Sequence, residues 1–221
     1  MVKQMKNTKA VIFDMDGVIF DTERVYLDTW TEVFEKYGYK MTKDIYTSVM
    51  GVGRQNVIKT FLEVYGDDLP IEKMYKEKDE KLAKKISEGD IPIKDGVYEI
   101  LDYLKNNNYK IALATSAKRE RANKHLEEAN LKSYFDAIVC GDEVKKAKPN
   151  PEIFLKASEK LSVEKDKCIV VEDSKAGVIA GYNAGMKVIN IPDLKEADND
   201  MKRDSHKVLK NLIELKRYLK Y

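Results

Sequence analysis

The feature that most limits the fold of this chain is a set of five short apolar runs in which apolar and polar residues do not alternate. Each run is followed by turn residues and then by apolar positions at helical spacing. Non-alternating strands are typical of parallel sheets that helices cover on both faces. The sequence therefore predicts an α/β fold with a Rossmann-like parallel sheet. The predicted strands are residues 10–13, 111–114, 137–140, 169–171 and 188–191.

A long segment between the first two predicted strands is expected to carry structure of its own. The insertion comprises roughly 70 residues, which exceeds the length of an ordinary crossover connection. Apolar positions recur in it at three- and four-residue spacing, which predicts a small helical bundle. The predicted helices are residues 25–37, 57–65 and 71–86, and one more is expected to close the chain at residues 207–221.

These patterns predict two domains, one inserted into the other. Residues 1–19 and 93–221 are expected to form an α/β core, and residues 20–92 a helical domain. With 221 residues, the chain is long enough to bury a sizeable core without a partner. We expect a monomer, although the sequence leaves the oligomeric state open.

Charge and composition make a small molecule the expected partner. The 40 Lys and Arg and 38 Asp and Glu residues are mixed along the chain, without a long run of one sign. Such a balance gives little electrostatic support for binding nucleic acid or a membrane surface. We expect a cytoplasmic protein, because no segment has the apolar pattern of a secretion signal or the apolar length of a membrane span. Cys140 and Cys168 border apolar runs and are expected to be core thiols.

Polar residues follow four of the predicted strands. In open α/β sheets, ligands bind beyond the carboxyl ends of the strands. Carboxylates from two strands suit a hard divalent cation such as Mg²⁺, while a hydroxyl and an ammonium group suit phosphoryl oxygens. Such a cation would explain why acidic residues end a buried strand, where an unpaired carboxylate is costly. The candidates are Asp14, Asp16, Thr115, Ser116, Lys148, Glu172 and Asp173.

Each of these residues also has a purely structural interpretation. Asp16 and Gly17 could form only a turn, Asp173 could belong to a helix N-cap, and Lys148 could be solvated surface. For any one residue alone, the structural interpretation is favoured. Their joint placement at the ends of neighbouring strands favours a functional site.

Four segments, in order, resemble the motifs of the haloacid dehalogenase superfamily: "DMDGVIFDTE", "LATSAK", "KPNPEIF" and "VVEDSKAGVIAGYNAGM". The sequence is most similar to the β-phosphoglucomutase-like branch of phosphatases and mutases, over nearly the whole chain. The resemblance implies a sheet in the order 5-4-1-2-3 and a helical cap inserted after the first strand. It also implies Mg²⁺-dependent hydrolysis of a small phosphate monoester, which we expect to be a sugar phosphate.

The resemblance assigns the central roles to aspartates. Asp14 is the implied nucleophile, which forms an aspartyl phosphate, and Asp16 is the implied general acid and base. Mg²⁺ is implied to bind the Asp14 carboxylate, the Asp16 carbonyl oxygen and Asp173. Glu172 is expected to support the metal, directly or through water. Gly17 is expected to let the chain turn sharply beneath the phosphate.

The other core motifs are implied to handle the phosphoryl group. Thr115 and the Ser116 amide are expected to bind its oxygens. Lys148 is expected to offset the charge that would otherwise repel an anionic nucleophile from an anionic substrate. The core motifs together therefore predict the complete phosphoryl-transfer site.

The inserted segment holds two weaker candidates. The segment "GVGR", residues 51–54, resembles a cap loop that reaches over the site in this branch, which makes Arg54 a candidate clamp on the substrate. A solvated arginine is an equally open interpretation. In the mutases of the branch, a histidine after the first motif helps to hold the acid–base aspartate away until a sugar binds. This chain has Tyr26 there, which favours a hydrolase, although a tyrosine hydroxyl could substitute.

The sequence also bears on functions other than that of a phosphatase. A β-phosphoglucomutase is the second enzyme hypothesis. A phosphoaspartate receiver domain is disfavoured because the second acidic cluster follows Lys148 and a bundle follows the first strand. Mere phosphate binding would not require Asp16, and dehalogenase chemistry is disfavoured by Asp16 and Asp173. A transport ATPase would need membrane spans.

Overall fold

The computed structural model describes residues 7–50, 53–88 and 91–220, and the chain divides into two compact units. The core unit comprises Met1–Asp21 and Pro92–Tyr221, and the inserted unit comprises Thr22–Ile91. Phe20, Asp21 and Pro92, predicted to belong to the helical domain, therefore lie in the core unit.

The described part of the inserted unit is helical. Three of its helices overlap the predicted ones, and the fourth, α2, is a six-residue helix capped by Thr42 that is too short to show a repeat in the sequence. The helices are α1 (Thr22–Lys36), α2 (Lys43–Ser48), α3 (Arg54–Tyr65) and α4 (Ile71–Ser87).

Aromatic side chains form the core of the inserted unit. The ring of Trp30 meets those of Phe34, Phe61 and Tyr75 edge-on, at centroid distances of 5.6, 5.4 and 4.8 Å. Edge-to-face contacts of this kind add to the energy of burying the rings. The aromatic stripes of α1, α3 and α4 therefore hold the bundle together.

A parallel sheet lies at the centre of the core unit. Its order is β3-β2-β1-β4-β5-β6, which confirms the predicted order 5-4-1-2-3 and adds one edge strand. The prediction of helix from residue 207 onward is wrong at its start, because two residues there pair with β5. The strands are β1 (Ala10–Phe13), β2 (Lys110–Ala114), β3 (Ala137–Val139), β4 (Cys168–Glu172), β5 (Lys187–Asn190) and β6 (Lys207–Val208).

Helices flank this sheet. Phe154 of α7 and Val178 of α8 belong to the same buried cluster as Ile12 of β1. Helix α5 contacts β2 and is itself packed against α10. Among the described helices, none is both long enough and apolar enough to cross a membrane. The helices of the core unit are α5 (Val97–Asn106), α6 (Arg119–Glu128), α7 (Glu152–Leu161), α8 (Lys175–Asn183), α9 (Asn199–Asp204) and α10 (Leu212–Lys220).

The register of the central strands fixes which residues meet beyond the sheet. Phe13 of β1 lies level with Leu113 of β2 and Val171 of β4. Since all three strands are parallel, their carboxyl ends reach the same edge of the sheet. The residues that follow them therefore share one site.

The chain leaves and re-enters the core unit at adjacent points. The amide of Asp21 donates to the carbonyl of Pro92 at 2.8 Å, and the amide of Lys94 donates to the carbonyl of Ile19 at 2.9 Å. Phe20 also forms an antiparallel bridge with Ile93. The two connections to the inserted unit thus start from a paired stretch of the core.

Candidate active site

Lys148 joins the ends of three strands. Its Nζ donates to Asp14 Oδ1 at 2.5 Å, to Glu172 Oε1 at 2.7 Å and to the carbonyl of Ala114 at 3.1 Å. The Lys148 side chain is only 6% exposed. Asp14 and Glu172 follow or end neighbouring strands, so the sheet itself sets the spacing of this ion pair network. The structure therefore brings three of the predicted site residues into direct contact.

The electrostatics of this network leave Asp14 short of positive charge. Burial raises the pKa of the Asp14 carboxyl to about 7; Lys148 opposes this shift, while Glu172 and Asp16 add to it. For Lys148, burial disfavours the charge, but the two neighbouring carboxylates outweigh burial and hold its pKa above the usual value. One lysine is thus shared between two buried carboxylates.

Both carboxylate oxygens of Glu172 are engaged by the protein. Oε1 accepts from Lys148, while Oε2 accepts from the amides of Asp173 and Ser174 and from the Ser174 hydroxyl, each at 3.0 Å. Glu172 is fully buried. A Cβ atom at Gly177, in the first turn of α8, would overlap this carboxylate. These contacts suit Glu172 to holding Lys148 and the loop after β4, and they leave little capacity for direct metal ligation.

The loops after β1 and β4 meet at Gly17. Gly17 has φ +78°, and a Cβ atom there would overlap the Asp173 carboxylate, so both the conformation and the space require glycine. Asp16 precedes Gly17, so its carbonyl oxygen belongs to the peptide that joins the two residues. Close approach of the loops places this peptide beside the Asp173 carboxylate.

The donor set fits a hard divalent cation. Asp14, Asp173 and the Asp16 carbonyl offer oxygen ligands only, which Mg²⁺ prefers. Burial raises the pKa of Asp14 at the same place, and Lys148 alone does not offset that shift. A cation bound there would favour the ionised carboxylate that a nucleophile requires. The residues present therefore fit Mg²⁺.

Thr115 and Ser116 follow β2. Thr115 is fully buried, and its Oγ1 accepts from the amide of Ala117 at 3.0 Å. With that lone pair occupied, the hydroxyl hydrogen is the group that Thr115 can offer to an anion. Ser116 is exposed, as expected for a residue that meets a ligand.

One contact at this site was not predicted. Arg121 of α6 donates from Nη2 to Oδ2 of Asp16. Arg119, two positions earlier, pairs instead with Glu143 and with the carbonyl of Ile138. Residues two apart on a helix point in different directions. Nothing in the sequence distinguishes these arginines, so the partner of Asp16 emerges only from the folded chain.

A family model described as haloacid dehalogenase-like hydrolase matches residues 11–191. The chain belongs to this family. The predicted superfamily is therefore confirmed. The chain is a hydrolase that acts on phosphate monoesters.

Named relatives and solved structures agree with this family. The chain is 39% identical over 181 residues to the phosphorylated carbohydrates phosphatase of Thermotoga maritima, with 82% of this chain and 83% of the relative covered. It is 33% identical over 191 residues to the β-phosphoglucomutase of Bacillus subtilis, covering 83% of each. A Thermotoga maritima structure described as a candidate β-phosphoglucomutase matches with a TM-score of 0.76 and 34% identity, covering 95% of this chain and 99% of that one.

The predicted cap residues lie in the inserted unit of this family member. Gly51 and Val52 of the "GVGR" segment lie outside the described residues. The guanidinium of Arg54 pairs with Glu72 at 3.3 Å and lies 4.3 Å from the ring centroid of Tyr75. The Nζ of Lys78 lies 5.8 Å from the ring centroid of Tyr26. The substrate roles of Arg54 and Tyr26 stay predictions.

Proposed function

We propose that this chain is a Mg²⁺-dependent phosphatase that hydrolyses a small sugar phosphate through an aspartyl phosphate on Asp14. The observation that carries the proposal is the buried Asp14 carboxylate, held by Lys148 at the end of the central strand. One lysine serves both Asp14 and Glu172, so a cation bound beside Asp14 would balance the second carboxylate. A site that takes up a cation and a phosphoryl group requires such an arrangement.

In the first step, Asp14 attacks phosphorus in line with the leaving oxygen. A bond forms between Asp14 and phosphorus as the ester bond breaks, and Asp16 gives a proton to the leaving oxygen. Lys148 reduces the repulsion between nucleophile and substrate, while the Thr115 hydroxyl and the Ser116 amide orient the phosphoryl oxygens. When bound, Mg²⁺ supplies positive charge that offsets charge on the transferring phosphoryl group.

In the second step, water replaces Asp14 on phosphorus. Asp16, now ionised, accepts a proton from the water as the new oxygen–phosphorus bond forms and the bond to Asp14 breaks. The enzyme is thereby returned to its starting state. General acid and base catalysis of this kind contributes about a hundredfold or more to the rate.

The substrate class is drawn from the named relatives and from the charge balance of the chain. The relative that is 39% identical is named a phosphatase of phosphorylated carbohydrates. The even mixture of acidic and basic residues suits a small metabolite better than nucleic acid or a membrane surface. We also propose that the enzyme is monomeric and cytoplasmic. Light scattering from the purified protein tests its oligomeric state.

A β-phosphoglucomutase is the second candidate function. It is favoured by the 33% identity to the Bacillus subtilis mutase. The resemblance described above gives the mutases a histidine where this chain has Tyr26. Without that restraint, Asp16 activates water as soon as Asp14 is phosphorylated, and hydrolysis consumes the intermediate before a sugar can accept the phosphoryl group. We therefore propose the hydrolase.

A panel of phosphorylated metabolites, assayed for released phosphate with Mg²⁺, tests the proposal. The panel includes β-glucose 1-phosphate with a trace of bisphosphate primer, and glucose 6-phosphate is measured in parallel. We expect phosphate release from at least one sugar phosphate, with little glucose 6-phosphate. Transfer that exceeds hydrolysis by about tenfold would overturn the hydrolase in favour of the mutase. Absence of phosphate release from the whole panel would contradict the substrate class.

A further inference from the structure

The contact between Arg121 and Asp16 gives the acid–base carboxylate a partner from the core unit. Both side chains are part-buried, at 31% and 30% exposure, so the pair is partly shielded from bulk water. A guanidinium donates in a fixed plane, and its hydrogen bonds to carboxylates are strong and directional. The contact therefore fixes the orientation of the Asp16 side chain.

A set of unpaired polar atoms is associated with this pair. Asp16 Oδ1, Arg121 Nε and both ring nitrogens of His125 are buried and have no hydrogen-bond partner among the described residues. His125 is 3% exposed and lies on α6, one turn after Arg121. Buried polar groups in folded proteins are nearly always paired, so each of these atoms calls for a partner.

Phe20 places His125 near Asp16. The imidazole meets the Phe20 ring edge-on at a centroid distance of 5.5 Å. The carbonyl of Phe20 accepts from the amide of Gly17 at 2.8 Å, and Phe20 also bridges to Asp16 through the backbone. Burial lowers the pKa of His125, Arg121 lowers it further, and Asp16 opposes both, as expected for groups that lie near one another.

We propose that Arg121 is a positioning residue that holds Asp16 in its working orientation, and that His125 completes this restraint through a buried water shared with Asp16 and Arg121. The proposal rests on the proposed function, because it takes Asp16 to be the acid and base. The water has acceptors and donors on three side chains, as buried waters require. This contact comes from α6 of the core unit and holds Asp16 ready to act, whereas the histidine implied for the mutases holds the aspartate away until a sugar binds.

Substitution of Arg121 tests this role. Arg121→Met keeps much of the side-chain volume and removes the charge, while Arg121→Lys keeps the charge. We expect Arg121→Met to lower kcat for a sugar phosphate by about 10- to 100-fold, which is part of the contribution of acid–base catalysis, with KM changed far less. Arg121→Lys should recover part of the loss. Arg217→Met, which removes the same charge from the exposed face of α10, is the matched control and should leave kcat unchanged.

A phosphate ester with a good leaving group separates the two steps. p-Nitrophenyl phosphate needs no acid for departure of its leaving group, so Arg121→Met should form the aspartyl phosphate at a near-normal rate and hydrolyse it slowly. A burst of p-nitrophenol followed by slow turnover is the expected result. A large rise in KM without a fall in kcat would show that Arg121 binds substrate directly, and would overturn the proposal.

The double variant Asp16→Asn, Arg121→Met distinguishes failure of this inference from failure of the proposed function. If Arg121 acts through Asp16, the double variant is no slower than Asp16→Asn alone. Equal losses from Arg121→Met in both backgrounds would overturn the role of Arg121. Normal turnover by Asp16→Asn itself would instead overturn the proposed function.

His125→Phe tests the proposed contribution of His125 to the restraint on Asp16. Phenylalanine keeps the contact with the Phe20 ring and removes both ring nitrogens. We expect a fall in kcat that is smaller than that of Arg121→Met, and no further fall when Asp16→Asn is already present. Unchanged kcat in a variant with an unchanged thermal midpoint would overturn the role of His125.

Discussion

Asp14 is only 7% exposed, and burial raises the pKa of its carboxyl to about 7. A carboxylate in such a position costs stability unless charge of opposite sign is close. Lys148 supplies part of that charge and is shared with Glu172. The same burial favours the neutral carboxyl, so a bound cation that restores the ionised form would be needed for Asp14 to act as the proposed nucleophile.

Asp14→Asn should abolish phosphate release, with a loss of at least about a thousandfold, because an amide cannot attack phosphorus to form the acyl phosphate. The fold should survive, since asparagine keeps the shape and removes a poorly compensated charge. Phosphate release and thermal unfolding are the measurements. Asp166→Asn, an exposed aspartate of the core unit, is the control and should behave as the unaltered protein. Near-normal turnover by Asp14→Asn would contradict the mechanism.

Asp173→Ala should raise the Mg²⁺ concentration needed for half-maximal activity by at least about tenfold, because a hard cation loses an anionic oxygen ligand. Titration of activity with Mg²⁺ after removal of metal by a chelator measures the effect. Asp200→Ala, which removes a surface carboxylate of α9 paired with Lys175 and Arg203, is the control. Full activity of the unaltered protein in excess chelator would be incompatible with this prediction.

Among the elements, the start of α8 supports Lys148 through Glu172. Ser174 caps the helix by accepting from the amide of Gly177 at 3.1 Å, and the same serine donates to Glu172. The absence of a side chain at Gly177 leaves room for the Glu172 carboxylate. The helix start, Glu172 and Lys148 therefore form one connected support for Asp14.

Gly177→Ala should displace Glu172 and weaken its hold on Lys148. We expect kcat to fall by more than about tenfold and the free energy of unfolding to fall by about 1–3 kcal/mol, as in other overpacked sites. Steady-state kinetics and urea denaturation measure the two effects. Ala176→Ser adds an atom at the exposed neighbouring position and should change neither. Unaltered kinetics in Gly177→Ala would show that Glu172 does not position Lys148.

The stability of the inserted unit depends on the packing of α3 against its neighbours. Phe61 is fully buried and contacts the rings of Trp30 and Phe34. Phe61→Ala should lower the free energy of unfolding of this unit by about 3–5 kcal/mol, because it leaves a cavity among the rings. Val64→Ala, at a position on α3 that is 51% exposed, should cost no more than about 0.5 kcal/mol. Equal losses in the two variants, measured by urea denaturation, would contradict the assigned core.

At the scale of the whole molecule, the core unit closes on itself where the insertion begins and ends. Asp21 and Pro92 are joined by a backbone hydrogen bond of 2.8 Å, so a short linker can connect them. Each unit also buries its own large side chains, such as Phe13 in the core unit and Phe34 in the inserted unit. Both features are those of domains that can fold separately.

Replacement of residues 22–91 by a short Gly-Ser linker should therefore leave a core that unfolds cooperatively. It should still release phosphate from a small aryl phosphate, more slowly than the full chain, because the proposed phosphoryl-transfer residues lie outside the deleted segment. Discrimination among sugar phosphates should fall by about tenfold or more, since we expect the inserted unit to choose the substrate. Calorimetry and the metabolite panel measure these outcomes. A core without a cooperative transition would contradict its separate folding. Unchanged discrimination among sugar phosphates would contradict the expected role of the inserted unit in substrate choice.

Elements with local patterns are predictable from the sequence alone. Strands β1 to β5 follow from apolar runs, and α1, α3 and α4 follow from helical spacing over three or more turns. Because parallel strands end at the same edge of a sheet, the pattern also predicted that Asp14, Lys148 and Glu172 would lie together. Helix α2 and strand β6 escaped prediction because six and two residues are too few to form a repeat.

The pairing of side chains that are distant in the chain depends on the folded structure. Arg121 and Asp16 are 105 positions apart, and the rotation of α6 directs Arg121 to Asp16 and Arg119 to Glu143. The saturation of Glu172 by protein donors likewise depends on how the loop after β4 packs against α8. Such contacts depend on the exact placement of elements, whereas apolar periodicity records only which face of each element is buried.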